Sequence, residues 1–155
     1  VVPCYALTHL RTDLDLGFQT VLWLFVLVWS ADTGAFAAGR LIGGPKIAPR
    51  ISPNKTWSGL SGGIFAAGIA GFISALVLGN QNVIPLTVFS ALLGMLSQGG
   101  DLFESWIKRR FNKKDSGALI PGHGGLLDRV DGLLTAAVGA AALSFFIKGS
   151  PLVWG

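Results

Sequence analysis

Thr56-WSGLSGGIFAAGIAGFISALVLGNQNVIPLTVFSALLGMLSQG-Gly100 contains no charged residue. A spanning helix needs about 20 mostly apolar residues, so this interval is too long for one crossing and suits two. Gly79-Asn80-Gln81-Asn82 breaks it, and Pro85 stands near the start of the second half, where a helix tolerates proline. The reading is a hairpin of spans, roughly Leu60–Leu78 and Ile84–Leu96. Gly59, Gly63, Ala67 and Gly71 recur every four residues, a small-residue stripe that lets helices approach closely. A hairpin returns the chain to the membrane face it left, which puts Lys55 and Asp101 on the same side.

Working outward, charge is also missing from Asp15 to Asp32 and from Asp131 to Lys148, and each interval holds one shorter span. The first runs from Leu16 to Ser30 and continues as helix toward Gly39, with Trp23 and Trp29 suited to interfaces where the indole N–H stays wet. The last runs from Gly132 to Ile147. Composition agrees: 13% of residues are charged and 51% hydrophobic, whereas soluble domains carry about 25% charged residues. The expected fold is an all-α polytopic membrane protein with four transmembrane helices, a single membrane domain over residues 1–155. Val1 to Asp15 reads as a polar lead-in. The start at Val1, without Met, suggests a missing N-terminal part, and the early apolar run is too long for a secretory signal. Cys4 is the sole cysteine, so no intramolecular disulfide can form.

The charges that remain collect in two stretches. Arg40 to Lys55 holds four cations, no acid, three prolines and two glycines, the composition of an ordered or semi-ordered loop rather than a helix. Gly39 to Lys46 lacks the Gly-Lys-Ser/Thr ending and is not a Walker A loop. Asp101 to Asp131 holds six of the twelve Lys and Arg residues and five of the eight acids. Ten of the twelve cations thus share one face, the cytoplasmic one by the positive-inside rule. The net charge of +4 does not indicate nucleic acid, because the cations sit beside spans and no nucleic-acid-binding signature accompanies them. Phospholipid headgroups and nucleotide phosphates are the fitting partners.

If helix continues past Gly100, Asp101, Glu104, Ser105 and Lys108 share one face, while Phe103, Ile107 and Phe111 point elsewhere. Pro121-Gly-His-Gly-Gly125 cannot be regular helix, and the N–H groups around Gly124 and Gly125 can approach an anion closely. Asp128 and Asp131 follow one helical turn apart. Asp101, Asp128 and Asp131 would repel one another without a cation between them. A hard divalent ion such as Mg²⁺ suits such oxygen donors, with one ion or two. Zinc does not, since Cys4, His9 and His123 form no ligand set. Lys108, Arg109, Arg110, Lys113, Lys114 and Arg129 supply countercharge for phosphates. Asp32, an acid at the membrane boundary, is expected to face a cavity or a partner. The blander alternative for the charged stretch is a structural salt-bridge network.

Ser105-WIKRRFNKKDSGALIPGHGGLLDRV-Asp131 resembles the signature of the phosphatidate cytidylyltransferases, also called CDP-diglyceride synthases, with spacing that agrees over all 27 residues. Ser52-Pro-Asn-Lys-Thr56 and Asp32-Thr-Gly-Ala35 are similar to that family as well; many members carry Glu where this chain has Ser58. The resemblance covers essentially the whole chain and corresponds to the C-terminal part of a longer enzyme. It implies that CTP and phosphatidate give CDP-diacylglycerol and pyrophosphate with Mg²⁺, at the cytoplasmic face of a bacterial inner membrane. A phosphate oxygen is already ionised at neutral pH, so in-line positioning and charge neutralisation are required rather than a Ser-His-Asp apparatus. Asp101 and Asp128, then Asp131, are the expected metal ligands, with Lys108, Ser105 and Asp32 in the site. Lys55, Arg109, Lys114 and Arg129 would hold phosphates. Ser105 could hydrogen-bond a phosphate, and His123 could bind one or position the glycine turn. A homodimer is compatible with the sequence. The alternatives are transfer to another lipid acceptor, an ion-coupled transporter (disfavoured by the lack of a repeated half) and a non-catalytic scaffold.

Overall fold

A computed structural model of the protein describes residues 1–12, 16–79, 83–111, 131–147 and 152. Hydrocarbon offers backbone groups no partner, so apolar segments satisfy their N–H and C=O groups internally as helices. Among the described residues three helices are long and apolar enough to cross a membrane: α2 (Gly17–Leu41), α3 (Trp57–Val77) and α4 (Val83–Arg110). A shorter apolar helix, α5 (Asp131–Ile147), packs on α4. The expected all-α integral membrane architecture is thus present, with the small-residue stripe of α3 buried as anticipated.

The outer surface is apolar: Phe18, Leu22, Trp29, Phe65, Phe72, Val88 and Leu92 are all exposed. Inside, small residues set the spacing. Gly34 of α2 and Gly62 of α3 face each other so closely that a Cβ on Gly62 would collide with Ala38 and lie 2.9 Å from the Gly34 carbonyl oxygen. Leu24, Leu27, Leu86, Leu93, Ala136 and Ala140 fill the remaining interior.

Three local expectations change. Trp23 is not interfacial: it is 3% exposed, stacks on Phe89, and donates its indole N–H to Ser90 Oγ at 3.3 Å. A partner inside the bundle replaced water. The N-terminal lead-in contains helix α1 (Val2–Arg11), which buries Ala6 and Leu10, one turn apart, and packs on α5. The proline-rich stretch after α2 is non-helical and ordered, as expected, but it holds regular strands rather than loop alone. It forms an antiparallel pair, β1 (Lys46–Ala48) with β2 (Ser52–Thr56), in the register Lys46↔Thr56 and Ala48↔Ser52. Gly43 and Gly44, at φ 66° and 105°, turn the chain out of α2 into it.

Thr56 then starts α3 earlier than apolarity alone suggests, because its Oγ1 accepts from the Gly59 N–H at 3.1 Å. Removing such a cap costs about 1 kcal/mol. Thr56→Ala should lower the thermal midpoint of the detergent-purified protein by a few degrees, read by tryptophan fluorescence.

Candidate functional site

Helix α4 has 28 residues. At 1.5 Å per residue it is about 42 Å long, about 12 Å more than the hydrocarbon core. One helix is therefore both a membrane span and a charged projection carrying Asp101, Glu104, Ser105 and Lys108. The first and last of the three crossing helices reach the same end of the bundle, and so does the β-pair.

Lys55 is the next-to-last residue of β2, and local bonds fix its position. Ser58 Oγ donates to the Gly43 carbonyl and sits 3.0 Å from Thr56 Oγ1. The Trp57 N–H donates to the Pro45 carbonyl at 3.1 Å. Ser58, where many family members were expected to carry Glu, thus ties the β-pair to the base of α3. From there Lys55 Nζ reaches α4, donating to Asp101 Oδ2 at 3.1 Å and to the Gln98 carbonyl oxygen at 3.2 Å. This contact joins residues 46 apart in sequence. It is what a hairpin returning to its starting face requires.

Lys55 and Asp101 border an open cavity of about 620 Å³, with Asp32 and Arg40 of α2, Asn54 of β2 and Gln98 of α4 around it. Asp32 faces this cavity, as expected of an acid at that depth. The Asp131 carboxyl at the start of α5 is an electrostatic neighbour of both Asp101 and Glu104. Gly132 permits the approach, since a Cβ there would lie 3.1 Å from Asp101 Oδ1 and 2.5 Å from Ser97 Oγ.

The remaining expected residues divide into two groups. Lys108 pairs with Glu104 at 3.5 Å, half-buried Ser105 lies beside them on α4, and Arg109 Nε donates to the Ile51 carbonyl at the β-turn at 3.4 Å. Arg110 instead lies over the Trp106 ring, 5.7 Å from its centroid. Asp128, Lys113, Lys114, His123, Gly124, Gly125 and Arg129 lie outside the described residues. The sequence reading placed Glu104 on the right face without giving it a role. It missed Gln98, which lies one turn before Asp101 and carries no charge to attract notice.

The chemistry available here is that of anionic oxygen. Asp101, Glu104 and Asp131 lie side by side, and Glu104 Oε2 is buried without a hydrogen-bond partner among the described residues. Such crowding calls for a hard cation or a shared proton. No three acidic, imidazole or thiol groups among the described residues form a ready cage. Mg²⁺ does not need one, because it takes one or two carboxylates and completes its octahedron with waters and phosphate oxygens. The donor set fits that ion.

The family model of the cytidylyltransferases matches residues 1–147. The chain belongs to the cytidylyltransferase family. Among curated relatives, this family member is 53% identical to the phosphatidate cytidylyltransferase of Brucella suis biovar 1 over 132 residues, covering 85% of this chain and 49% of that one. It is 42% identical to the phosphatidate cytidylyltransferase of Rickettsia felis, over 88% of this chain and 63% of that one. With the Haemophilus influenzae phosphatidate cytidylyltransferase the identity is 40%, over 91% and 51%. The chain spans about half the length of the Brucella and Haemophilus relatives it matches.

Proposed function

We propose that this chain contributes the catalytic end of a phosphatidate cytidylyltransferase, which joins CTP and phosphatidate into CDP-diacylglycerol and releases pyrophosphate. The observation that carries the reading is the Lys55–Asp101 contact at 3.1 Å, bordering a cavity shared with Asp32 and flanked by Asp131. The relatives' names supply the substrates, and the sequence, in which ten of twelve cations fall in the two stretches that flank the α3–α4 hairpin, supports a site on the cytoplasmic side of a bacterial inner membrane.

The step is a displacement at phosphorus. A phosphate oxygen of phosphatidate bonds to the α-phosphorus of CTP, and the bond from that phosphorus to the bridging oxygen of the β-phosphate breaks. Pyrophosphate takes the electron pair. Lys55 lies where it can neutralise phosphate oxygens as charge moves toward the leaving group, and Lys108 and Arg109 extend that field along α4. Asp101 and Asp131 would hold Mg²⁺ in this proposal, with Glu104 beside them and Asp128 completing the set. The bound ion would supply charge neutralisation between the two polyanionic reactants. Asp32 lines the same cavity as Asp101 and in this proposal would help orient what enters it. Lys114, Arg129, His123 and the Gly124–Gly125 turn are assigned to phosphate binding from the sequence.

The test is transfer of label from radiolabelled CTP into lipid by membranes bearing the protein, with phosphatidate compared against other phosphorylated lipid acceptors. Phosphatidate should be the acceptor, and chelation by EDTA should remove at least about 99% of the incorporation, with restoration by Mg²⁺. Incorporation that survives chelation would retire the metal assignment. Label appearing only in another acceptor would retire the substrate.

A further inference from the structure

Gln98 is a polar residue in a place that does not repay it. Its residue is 5% exposed, and its amide Nε2 is buried without a hydrogen-bond partner among the described residues. An amide donor kept from water and left unpaired is destabilising, and an apolar side chain of the same shape would avoid the penalty. The surroundings are nevertheless shaped around it. Gly63 of α3 lies under the amide, and a Cβ there would collide with Nε2. Gln98 also lines the cavity, and its own carbonyl oxygen receives Lys55 Nζ at 3.2 Å. The terminal torsion of glutamine is broad, so the amide can turn toward the cavity at small cost.

We propose that Gln98 is a substrate-binding residue whose side-chain N–H₂ donates to a phosphate oxygen of a reactant beside Lys55. The inference rests on the cytidylyl-transfer reading for the identity of the two reactants, but its chemistry is a phosphate oxygen in either case. Lys55 brings the charge and Gln98 brings direction, because an amide donates along fixed N–H vectors whereas an ammonium acts more as a point charge.

Gln98→Leu separates this role from a packing role. The expected result is a thermal midpoint at or above that of the wild type, with KM for CTP or for phosphatidate raised about tenfold or more. A rise confined to CTP, with loss of the thermal protection that pyrophosphate gives the wild type, assigns the bond to a nucleotide phosphate. A rise confined to phosphatidate assigns it to the lipid phosphate. Both KM values within twofold of wild type overturn the proposal, and so does a raised KM for CTP with loss of the thermal protection given by cytidine, which carries the base and no phosphate. Gln98→Met, unbranched and apolar, serves if the leucine variant does not fold. Pyrophosphate protection does not depend on turnover. A wild type that is protected but transfers no cytidylyl group would sink the transfer reading and leave the Gln98 comparison readable.

Discussion

Asp101→Asn should lower CTP-dependent transfer by more than about 100-fold, on the order of 3 kcal/mol in the barrier. Two charged groups converge on this carboxyl, the Lys55 ammonium at 3.1 Å and the neighbouring Asp131, and it borders the cavity that Asp32 also lines. Asn keeps the shape and one oxygen. It removes the charge that positions Lys55 and, in the proposed mechanism, that helps hold the divalent ion. The amide should leave the bundle assembled, since the contact is made by side chains that are about a quarter exposed and not by the packed interior. The measurement is initial rate of label transfer at saturating CTP and phosphatidate, beside the elution profile of the variant in detergent. A variant that elutes as the wild type and keeps more than a tenth of the rate would remove Asp101 from the mechanism.

The second large effect is on assembly. Gly62→Leu should prevent recovery of folded protein, because the helices already touch through backbone. A first carbon at position 62 collides with Ala38, and the Gly34 carbonyl oxygen is 2.9 Å away. Overpacking a rigid contact costs about 1–3 kcal/mol, and a four-carbon side chain between two main chains belongs at or beyond the upper end. Lipid-embedded helices gain much of their association from close packing, so wedging α2 from α3 also disturbs the cavity that Asp32 and Asp101 both line. Gly99→Ala is the control: nothing among the described residues lies within 4 Å of a Cβ there, and alanine is the better helix former. It should be recovered at wild-type yield or better. Comparable losses from both substitutions would show that the α2–α3 contact is not what the fold depends on.

The spans were legible because each is a long run without charge, and the shared face of Lys55 and Asp101 followed from the hairpin they enclose. The same logic found Asp32. It failed at Trp23, where a rule about aromatic rings at interfaces lost to one serine on a facing helix: Ser90 has no signature until α2 and α4 are packed together. It also failed on α1, whose two buried positions, Ala6 and Leu10, make too short a stripe to stand out from a polar segment. The β-pair was hidden by the three prolines in and beside it, which argue against regular structure, while the Gly43–Gly44 turn that leads into it and the Ser58 bond to the Gly43 carbonyl have no signature in the sequence. In the site itself, charge drew attention to the acids and cations. Gln98 was passed over because an amide amid hydrocarbon reads as a small interruption until its burial is known.

Because α4 crosses the bilayer and carries Asp101 without a break, its anchoring depth is also the depth of the carboxylate. Lys55 arrives on a different support, a short β-pair tethered to the ends of α2 and α3. A bilayer thicker or thinner than these helices prefer is accommodated by tilt, and tilt displaces the far end of the longest rod most. The spacing between the ammonium and the carboxylate is thereby coupled to acyl-chain length in the surrounding leaflets, so the material properties of the membrane enter the geometry of a centre proposed to make its lipid precursors.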